Sequence, residues 1–339
     1  MGNASIKPLD ISLTQVRKLN RGERTIRFIL NNGLLIALIV EIIVFALLIP
    51  QGKFLTMSTL INALQIAGGG GIAAVCFTVA LISGVIDFSI GSISIMGGLV
   101  FAWLYSQTGL PMGLAIILGL LVVLMFEWMN CFLILKVKIY PLIATMAIGL
   151  VAGGFSLAIQ ASSPEPGYVK LQDKTLWLLV NTKIGGIPMM IIATLIIFII
   201  LYVVLNHTKL GSHIYAMGGN PYVARLHGIK VIPITIIIMT MVGIAAYIVS
   251  IYNVGRTFYG SLSNIIRPDP FLVALFAGVG LYGGSGKIER TLLAILFLAF
   301  LVTGMAILNV NPIVRSVVDG IAFVAAILLE TIRQYVENR

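Results

Sequence analysis

The segment from Ser83 to Ser92, Ser-Gly-Val-Ile-Asp-Phe-Ser-Ile-Gly-Ser, places one carboxylate among glycines and serines. Asp87 has no basic residue near it in the chain, and long apolar stretches flank the segment on both sides. Irregular backbone is tolerated at membrane depth only where protein or a water-filled cavity covers it. Asp87 is therefore interpreted as part of a permeation path or as a latch for this bend. The equally weighted alternative is a short cytoplasmic turn in which Asp87 caps the following helix.

Two further carboxylates, Glu41 and Glu127, lie inside long apolar stretches. An ionisable group at membrane depth costs at least ~2.5–3.5 kcal/mol, so it usually faces the bundle interior or is paired. Glu127 precedes Asn130 by about one helical turn, which places both on one helix face. Glu127 fits either a polar path or a packed hydrogen bond. Glu41 is interpreted as structural, or as lying at an interface with a second membrane subunit.

A glycine-rich run from Leu281 to Arg290 resembles a phosphate-binding loop because it contains Gly286-Lys287. A P-loop requires a glycine five residues before that pair and a serine or threonine after it. Leu281 and Ile288 stand at those positions, and an apolar stretch rather than a strand precedes the run. We therefore expect no ATP hydrolysis by this loop and predict a sharp cytoplasmic turn, which glycine allows.

Metal and covalent chemistry are not expected of this chain. His207, His213 and His227 share one polar connection, but no cysteine or carboxylate set accompanies them, so surface histidines are favoured over a metal site. The cysteines Cys76 and Cys131 lie in apolar stretches and form neither a disulfide framework nor a metal set. The apolar stretches contain no metal-binding histidine pair and no Gly-x-Ser-x-Gly nucleophile elbow.

The elements that carry these residues are apolar helices. Of the 339 residues, 59% are hydrophobic and 10% are charged, against ~25% charged in a soluble domain. Unbroken apolar runs of about 20 residues are long enough to cross ~30 Å of hydrocarbon as helices, and they lack the alternation of a membrane barrel. The fold class is therefore predicted as all-α, a polytopic membrane protein with about ten transmembrane helices. The predicted spans are 32–50, 60–82, 90–107, 112–135, 140–160, 186–205, 232–254, 269–281, 291–309 and 314–332. The second is rich in glycine and the eighth is short, so both are predicted to be broken or packed inside protein.

The positive charges orient the chain. With the N-terminus inside, fifteen of the 22 lysines and arginines fall in cytoplasmic segments and seven in outer ones. The positive-inside rule then predicts that both termini are cytoplasmic. The net charge of +10 is interpreted as orientation and contact with anionic lipid, and no nucleic-acid partner is expected.

The organisation follows from these spans. Residues 1–27 are predicted to form a cytoplasmic N-terminal tail, 28–335 a single transmembrane domain, and 336–339 a C-terminal tail. The domain contains an outer loop at 160–187 and an inner loop at 206–231.

A faint internal repeat predicts two related halves. Pro141 and Gly149 recur as Pro312 and Gly320, each pair 171 residues apart. Duplicated halves are common in transporters, although four such residues can also align by chance.

Several of these segments together carry a family resemblance. The Asp87 segment resembles the Gly-Gly-x-Asp-Leu-Ser-x-Gly-Ser signature of ribose-type ABC importer permeases. That family includes permeases for other monosaccharides, autoinducer-2 and, more distantly, nucleosides. In this chain Val85 replaces a glycine of the signature, Phe88 replaces a leucine, and Cys131 replaces a glycine after Asn130. The other matching segments are Pro141–Thr145, Thr208–Gly211, Tyr215–Pro221, Ala224-Arg225, Gly228-Ile229, Asp269 and Gly283–Gly286.

The resemblance implies that the inner loop supplies a coupling helix that docks into a cleft of an ATPase subunit. The sequence is compatible with this, because Asn220-Pro221 is typical of a helix start and Tyr222, Val223 and Leu226 could form an apolar face. A solvated connector is the alternative. The residues assigned to ATPase coupling are Gly218, Gly219, Asn220, Pro221, Tyr222, Ala224 and Arg225.

The resemblance further implies the membrane-spanning subunit of an importer in the bacterial cytoplasmic membrane, not an enzyme. Its expected partners are a second permease subunit, identical or related, a cytoplasmic ATP-binding subunit, an external substrate-binding protein and membrane lipid. No cofactor is expected on this chain, because ATP and magnesium would belong to the partner ATPase. The solute is expected to be a monosaccharide, with autoinducer-2 or a nucleoside as alternatives. The path is predicted from polarity at membrane depth to be shaped by Asp87, Ser89, Glu127, Asn130 and Thr145.

A second hypothesis is an ion-coupled secondary transporter that uses Glu41, Asp87 and Glu127 as proton or sodium sites. Such a carrier needs no ATPase-docking helix, and its uptake would persist without ATP.

Overall fold

The computed structural model describes residues 21–165, 167–171 and 173–337. Within them the protein is mostly helical, with thirteen α-helices, a short 3-10 helix at Pro50–Leu55 and four two-residue strands. The helices are α1 (Arg21–Leu48), α2 (Met57–Ile82), α3 (Ile90–Thr108), α4 (Met112–Leu135), α5 (Pro141–Ala161), α6 (Lys174–Val180), α7 (Met189–His207), α8 (Lys209–Gly219), α9 (Pro221–Leu226), α10 (Val231–Thr257), α11 (Pro270–Phe276), α12 (Glu289–Ile307) and α13 (Pro312–Glu337). The strands are β1 (Val169–Lys170), β2 (Lys183–Ile184), β3 (Ile187–Pro188) and β4 (Tyr259–Gly260).

Seven helices in the described part of the chain are long and apolar enough to cross a membrane: α2, α3, α4, α5, α7, α10 and α12. A helix satisfies its own backbone hydrogen bonds, which is why apolar sequence of this length folds this way in lipid. These seven helices coincide with predicted spans. The helices α1 and α13 overlap the first and tenth predicted spans, but the eighth, 269–281, contains only the seven-residue α11. At 1.5 Å per residue that helix is about 10 Å long, too short to cross by itself.

The segment around α11 instead runs as irregular chain and then a short helix beside α2. Halfway along α2, a Cβ added to Gly70 would lie 2.5 Å from the carbonyl carbon of Arg267. At the end of α2, the Gly284 backbone N–H donates to the Ile82 carbonyl oxygen over 2.8 Å. The chain therefore follows the second half of α2 from Arg267 to Gly284.

Helix α2 is the centre of the bundle, packed against α7, α10, α11 and α12. Its glycines at Gly68–Gly71 let neighbours approach on several sides. A Cβ on Gly68 would lie 2.4 Å from the backbone nitrogen of Ile191 on α7, and one on Gly69 would lie 2.7 Å from the Tyr252 ring on α10. The interpretation that the glycine-rich second span is packed inside protein is confirmed, and the helix is unbroken.

The remaining helices form a second layer. Helix α3 packs on α4, α5 and α10, α1 lies on α12, and α13 lies on α11. Two small antiparallel ladders, β1 with β4 and β2 with β3, lie between the helices.

The ends of the chain are partly described. Residues 1–20 of the predicted N-terminal tail and 338–339 of the predicted C-terminal tail lie outside the described residues. Helix α1 begins at Arg21 and α13 ends at Glu337, so both helices extend into segments predicted as tails.

Candidate functional site

The turn between α2 and α3 positions Asp87. Gly84 has a φ of 79°, in the left-handed region, and the Val85 N–H donates to the Ala80 carbonyl over 3.0 Å. Together with the Gly84 N–H bond to Leu81, this is a Schellman helix end. The chain then turns so that Asp87, 1% exposed, points inward.

Asp87 is held from its own loop. Its Oδ1 accepts a hydrogen bond from the Ser89 backbone N–H at 2.8 Å and another from the Ser89 hydroxyl. Ser89 stands at the N-terminus of α3. The Asp87 carboxylate therefore lies near the N-terminus of α3, as one sequence interpretation held, but Ser89 is the N-cap residue and the turn is buried.

Helices α4 and α5 complete the network. The Asn130 Nδ2 donates to the Ser89 hydroxyl oxygen at 2.8 Å and lies 3.5 Å from the Glu127 Oε2. On α5, the Thr145 hydroxyl oxygen accepts from the Phe88 backbone N–H at 3.1 Å. The structure brings all five residues predicted to shape the path into one cluster, in which each is at most 1% exposed: Asp87, Ser89, Glu127, Asn130 and Thr145.

The cluster contains uncompensated polar atoms. Among the described residues, no N–H or O–H group donates a hydrogen bond to the buried Asp87 Oδ2, Glu127 Oε1 or Asn130 Oδ1. The two carboxyl groups act electrostatically on each other, and no lysine or arginine is among the groups that act on either. A shared proton or a bound cation would remove their repulsion. The cluster therefore keeps hydrogen-bonding capacity that its own side chains do not use.

A cavity of about 590 Å³ lies beside Asp87, between α3, α11, α12 and α13. Aromatic rings follow one another along it: the Phe88 and Phe271 centroids are 4.9 Å apart, and the Phe271 and Phe323 centroids are 5.5 Å apart. The cavity also contains an ion pair, with the Arg267 Nη1 at 3.3 Å from the Asp319 Oδ2. This mixture of rings and polar groups can hold a small polar solute.

Sequence reasoning missed most of this lining. Asp319 is a carboxylate inside the predicted span 314–332, which is the same signal that singled out Glu41 and Glu127. Arg267 precedes Pro268, Asp269 and Pro270, a run that cannot continue a helix. Asp269 was noted only as a family match, and the structure shows it as the cap of α11, accepting from the Phe271 N–H at 2.9 Å.

Glu41 lies apart from this cluster, on α1, which packs on α12. It is 8% exposed, and neither carboxylate oxygen has a hydrogen-bond partner in the part of the chain that the structure describes. The structure therefore does not bring Glu41 together with Asp87 and Glu127.

The inner loop folds into α8 and α9. The predicted helix start at Asn220-Pro221 is confirmed, because the Asn220 Oδ1 accepts from the backbone N–H groups of Tyr222 and Val223 at 3.0 and 3.1 Å. Ala224 is buried and Arg225 is exposed. Tyr222 and Leu226 are each 70% exposed and Val223 is 43% exposed. Helix α9 thus presents apolar side chains outward.

The three histidines of this region lie at His207, His213 and His227. No group of three or more potential metal-ligating side chains occurs among the described residues.

Four glycines join the inner loop to the Asp87 turn and to the run once compared with a P-loop. A Cβ on Gly218 would lie 2.0 Å from the Ile82 carbonyl oxygen and 2.4 Å from the Gly284 nitrogen. A Cβ on Gly283 would lie 2.6 Å from the Gly84 Cα. We call Gly84, Gly218, Gly283 and Gly284 the glycine junction. Its glycines are explained by backbone-to-backbone packing, which no larger residue permits.

The opposite end of the bundle is built from side chains. Strand β1 pairs with β4, the Trp177 and Phe258 rings stack at 6.0 Å, and the Tyr168 and Tyr259 rings are 5.3 Å apart. A groove of about 790 Å³ lies beside β1 and β4.

Asp173 fixes the short helix α6 at this same end. Its Oδ1 accepts from the Thr175 N–H at 2.6 Å, and its Oδ2 accepts from the Tyr105 hydroxyl. The hydrogen bond from Tyr105 lowers the pKa of Asp173.

Comparison with known proteins gives a family match. Residues 59–327 match the family described as branched-chain amino acid transport system, permease component. The chain is 29% identical over 305 residues to the ribose import permease protein of Escherichia coli strain K12, covering 88% of this chain and 93% of that protein. It is 29% identical over 310 residues to the ribose import permease protein of Bacillus subtilis strain 168, covering 88% and 92%. It is 30% identical over 297 residues to an autoinducer 2 import system permease protein of Photorhabdus luminescens, covering 86% and 88%. No solved structure matches the chain at a significant level.

Proposed function

The chain belongs to the family of transport-system permease components that it matches over residues 59–327, and from this premise we propose that it is the membrane-spanning subunit of an ATP-driven importer. It is a multi-pass protein of the bacterial inner membrane, consistent with its seven apolar helices. ATP and magnesium belong to a separate ATP-binding subunit, and this chain carries out transport rather than covalent chemistry.

The observation that carries the proposal is the exposed helix α9. Tyr222 and Leu226 are each 70% exposed, although a polar loop between membrane helices has no internal need for apolar side chains. The Asn220 cap fixes the start of the helix, so the apolar face is ordered in advance. A preorganised apolar face on an otherwise polar loop fits docking onto a partner. We assign Gly218, Gly219, Asn220, Pro221, Tyr222, Ala224 and Arg225 to this coupling element.

The proposed topology has ten crossings with both termini in the cytoplasm. Seven crossings are the long apolar helices. The other three are α1, α13 and the segment made of irregular chain and α11. Residues 28–335 then form one permease domain, with 206–231 inside and 160–187 outside. Broken crossings of this kind line substrate sites in other transporters, because they free backbone groups near the midplane. The two-half repeat stays a prediction, although Pro141 and Pro312 each begin a helix.

The proposed path passes the cavity beside Asp87. Asp87 borders the cavity, while Ser89, Glu127, Asn130 and Thr145 hold the Asp87 turn in place from behind. The glycine junction connects the same turn to the coupling element. Movement of α9 with the ATPase would therefore shift the Asp87 turn and open or close the inner end of the path.

A monosaccharide is the solute we propose. The cavity combines phenylalanine rings, which fit the apolar faces of a sugar ring, with carboxylates and a guanidinium that can bind hydroxyl groups. Among the described residues that line the cavity, Arg267 is the basic one, and its pairing with Asp319 disfavours an anionic solute. The named relatives are ribose and autoinducer-2 permeases, so autoinducer-2 and, more distantly, a nucleoside are the alternatives within this function.

The proposed assembly contains four kinds of partner. A second permease subunit, identical or related, completes the path, and an ATP-binding subunit docks on the coupling element. A substrate-binding protein delivers the solute from outside. Membrane lipid surrounds the bundle, including the outward apolar faces of α4, α5 and α7.

The test of the importer class is purification of the tagged protein from its native cells in mild detergent. We expect an ATP-binding subunit to co-purify, and we expect it to be lost when Tyr222 and Arg225 are both replaced by alanine. A preparation without any ATPase that still transports in vesicles on an ion gradient alone would refute the proposal.

The test of the path is uptake by two variants. Asp87→Asn replaces the carboxylate that accepts the hydrogen bond from the Ser89 hydroxyl with a neutral amide. Asn130→Ala removes the donor that links Ser89 to Glu127. We expect both variants to lose most uptake while assembling normally with the ATPase. Wild-type uptake by both variants would show that the cluster has no part in transport.

One observation favours the second candidate, an ion-coupled carrier: Asp87 and Glu127 are buried together without a compensating cation. Glu41 does not join them, which removes one of the three groups from any shared site. Measuring uptake in vesicles with and without ATP separates the two candidates directly.

A further inference from the structure

The loop Leu281–Gly286 has an aromatic residue that nothing assigned so far explains. Tyr282 is 87% exposed, more than Tyr222 or Leu226 on α9. An exposed tyrosine on a loop carries a large apolar surface at a small loss of rotamer entropy on binding, which is why tyrosine is enriched at protein interfaces. The loop lacks the residues of a phosphate-binding loop, so phosphate binding does not explain its ordered backbone.

The loop is fixed in place although its tyrosine is free. The Gly284 N–H donates to the Ile82 carbonyl at 2.8 Å, and the Tyr215 hydroxyl donates to the Gly286 carbonyl at 3.1 Å. Gly283 and Gly284 have φ values of 79° and 70°, which only glycine adopts readily. A backbone fixed at both ends presents Tyr282 in one position before any partner arrives, which reduces the ordering that binding requires.

The loop also lies directly beside the coupling element. A Cβ on Gly284 would lie 2.6 Å from the Gly219 backbone, and Gly219 is the residue before the Asn220 cap. Tyr282 is two residues from Gly284, and Tyr222 is three residues from Gly219. At 3.8 Å per residue, each tyrosine Cα therefore lies within about 8–12 Å of that shared contact.

Helix α9 alone is small for a stable interface. Specific protein complexes bury about 800 Å² on each partner, contributed by some 20–30 residues. Helix α9 has six residues and three exposed apolar side chains: Tyr222, Val223 and Leu226. A stable contact through α9 must therefore include neighbouring surface.

The charges nearest in sequence to both tyrosines are positive. Arg225, three residues after Tyr222, is exposed. Lys287, five residues after Tyr282, is exposed as well. A partner that covers this surface would carry an acidic rim around an apolar cleft.

We propose that Tyr282 and the loop Leu281–Gly286 form a second contact for the ATP-binding subunit, continuous with α9 across the glycine junction. This inference rests on the proposed function, because it takes the ATP-binding subunit as the occupant. The loop then has two roles in one piece of chain: its tyrosine contacts the ATPase, and its glycines contact the Asp87 turn.

The experiment uses the assembled permease in nanodiscs and titrates the purified ATP-binding subunit of the same importer. We expect Tyr282→Ala to weaken binding about tenfold, as a central interface tyrosine does, and Tyr282→Phe to bind within about threefold of wild type because the ring is kept. The control is Tyr140→Ala. Tyr140 is 59% exposed on another connection of the proposed inner side, and its loss should leave binding unchanged.

A Tyr222→Ala/Leu226→Ala variant separates this inference from the proposed function. If that variant loses binding while Tyr282→Ala binds like wild type, the loop inference is wrong and the importer proposal stands. If neither variant changes binding, the docking proposal itself fails.

If the Tyr282→Ala permease does not assemble, a photo-crosslinking residue at position 282 tests instead which molecule contacts this position. Crosslinks to the ATP-binding subunit support the inference. Crosslinks only to lipid would assign Tyr282 to the membrane interface, where tyrosine is also common, and would overturn it.

Discussion

The two ends of the bundle are built in different ways. At the proposed inner end, the Asp87 turn, α8 and the loop after α11 meet through backbone, with glycines where side chains would collide. At the proposed outer end, β1, β4 and α6 meet through rings such as the stacked Trp177 and Phe258. A backbone contact without side chains has no rotamers that could absorb a displacement, whereas aromatic pairs can slide and tilt.

This difference indicates where motion is transmitted and where it is accommodated. A displacement of α8 at Gly218 must pass to Ile82 and Gly284, because no flexible atoms lie between them. The outer groove of about 790 Å³ can instead change shape around a docking partner. Under the proposed function, the inner end would transmit the movement of the ATP-binding subunit, and the outer end would adapt to the substrate-binding protein.

The largest expected effect is a loss of uptake that distinguishes substitution of Gly218 from substitution of its neighbour Gly219. In Gly218→Ala the new Cβ would lie 2.0 Å from the Ile82 carbonyl oxygen, so the glycine junction must open. Overpacking of this kind typically costs about 1–3 kcal/mol, and here it falls on the coupling contact. We expect uptake to fall to background.

The control is Gly219→Ala, because a Cβ on Gly219 meets nothing within 4 Å. We expect uptake within about twofold of wild type, since alanine also favours the end of α8. Equal losses in both variants would show that the junction does not depend on close backbone packing.

The next largest effect is on the free energy of unfolding, compared for an asparagine-to-alanine substitution in the buried cluster and one at the outer end. Asn130→Ala removes hydrogen bonds inside the buried cluster and leaves Ser89 and Glu127 without that partner. This should lower the free energy of unfolding by about 1–3 kcal/mol. Asn181→Ala removes one bond from its side chain to the Trp177 carbonyl at the outer end. There water replaces the partner, and we expect a change within about 0.5 kcal/mol. Thermal unfolding in detergent measures both, and a larger loss in Asn181→Ala would contradict the comparison.

The smallest effect compares two helix caps. Asn220→Ala uncaps α9 and Asp173→Ala uncaps α6, and each should destabilise its helix by about 1 kcal/mol. We expect only Asn220→Ala to weaken binding of the ATP-binding subunit, by a few-fold, because α9 then orders only on docking. Binding assays with the purified ATP-binding subunit measure this. A weaker ATPase contact in Asp173→Ala would contradict the assignment of the two ends.

Much of the fold could be read from the sequence because apolar length determines where a helix crosses a membrane. The seven long helices coincide with predicted spans, and the start of α9 at Asn220-Pro221 was predicted from its capping chemistry. The short span at 269–281 was predicted to be broken or packed inside protein, but its apolar composition did not show that its helix covers only Pro270–Phe276.

The candidate site was predicted in part. Asp87, Glu127 and Asn130 were singled out because polar groups in apolar sequence are rare, and the structure places them together. Asp319 could have been singled out as a carboxylate in a predicted span, but its pairing with Arg267 could not, because it joins segments 52 residues apart in the chain.

The sequence by itself determined that this is a helical membrane protein, that polar residues interrupt its apolar stretches, and where α9 begins. These properties depend on local composition and on capping. Only the tertiary structure decided that the glycines after α11 pack against Gly218 and Gly84. A close backbone approach needs glycine on each side, and sequence records the glycine without recording what it faces.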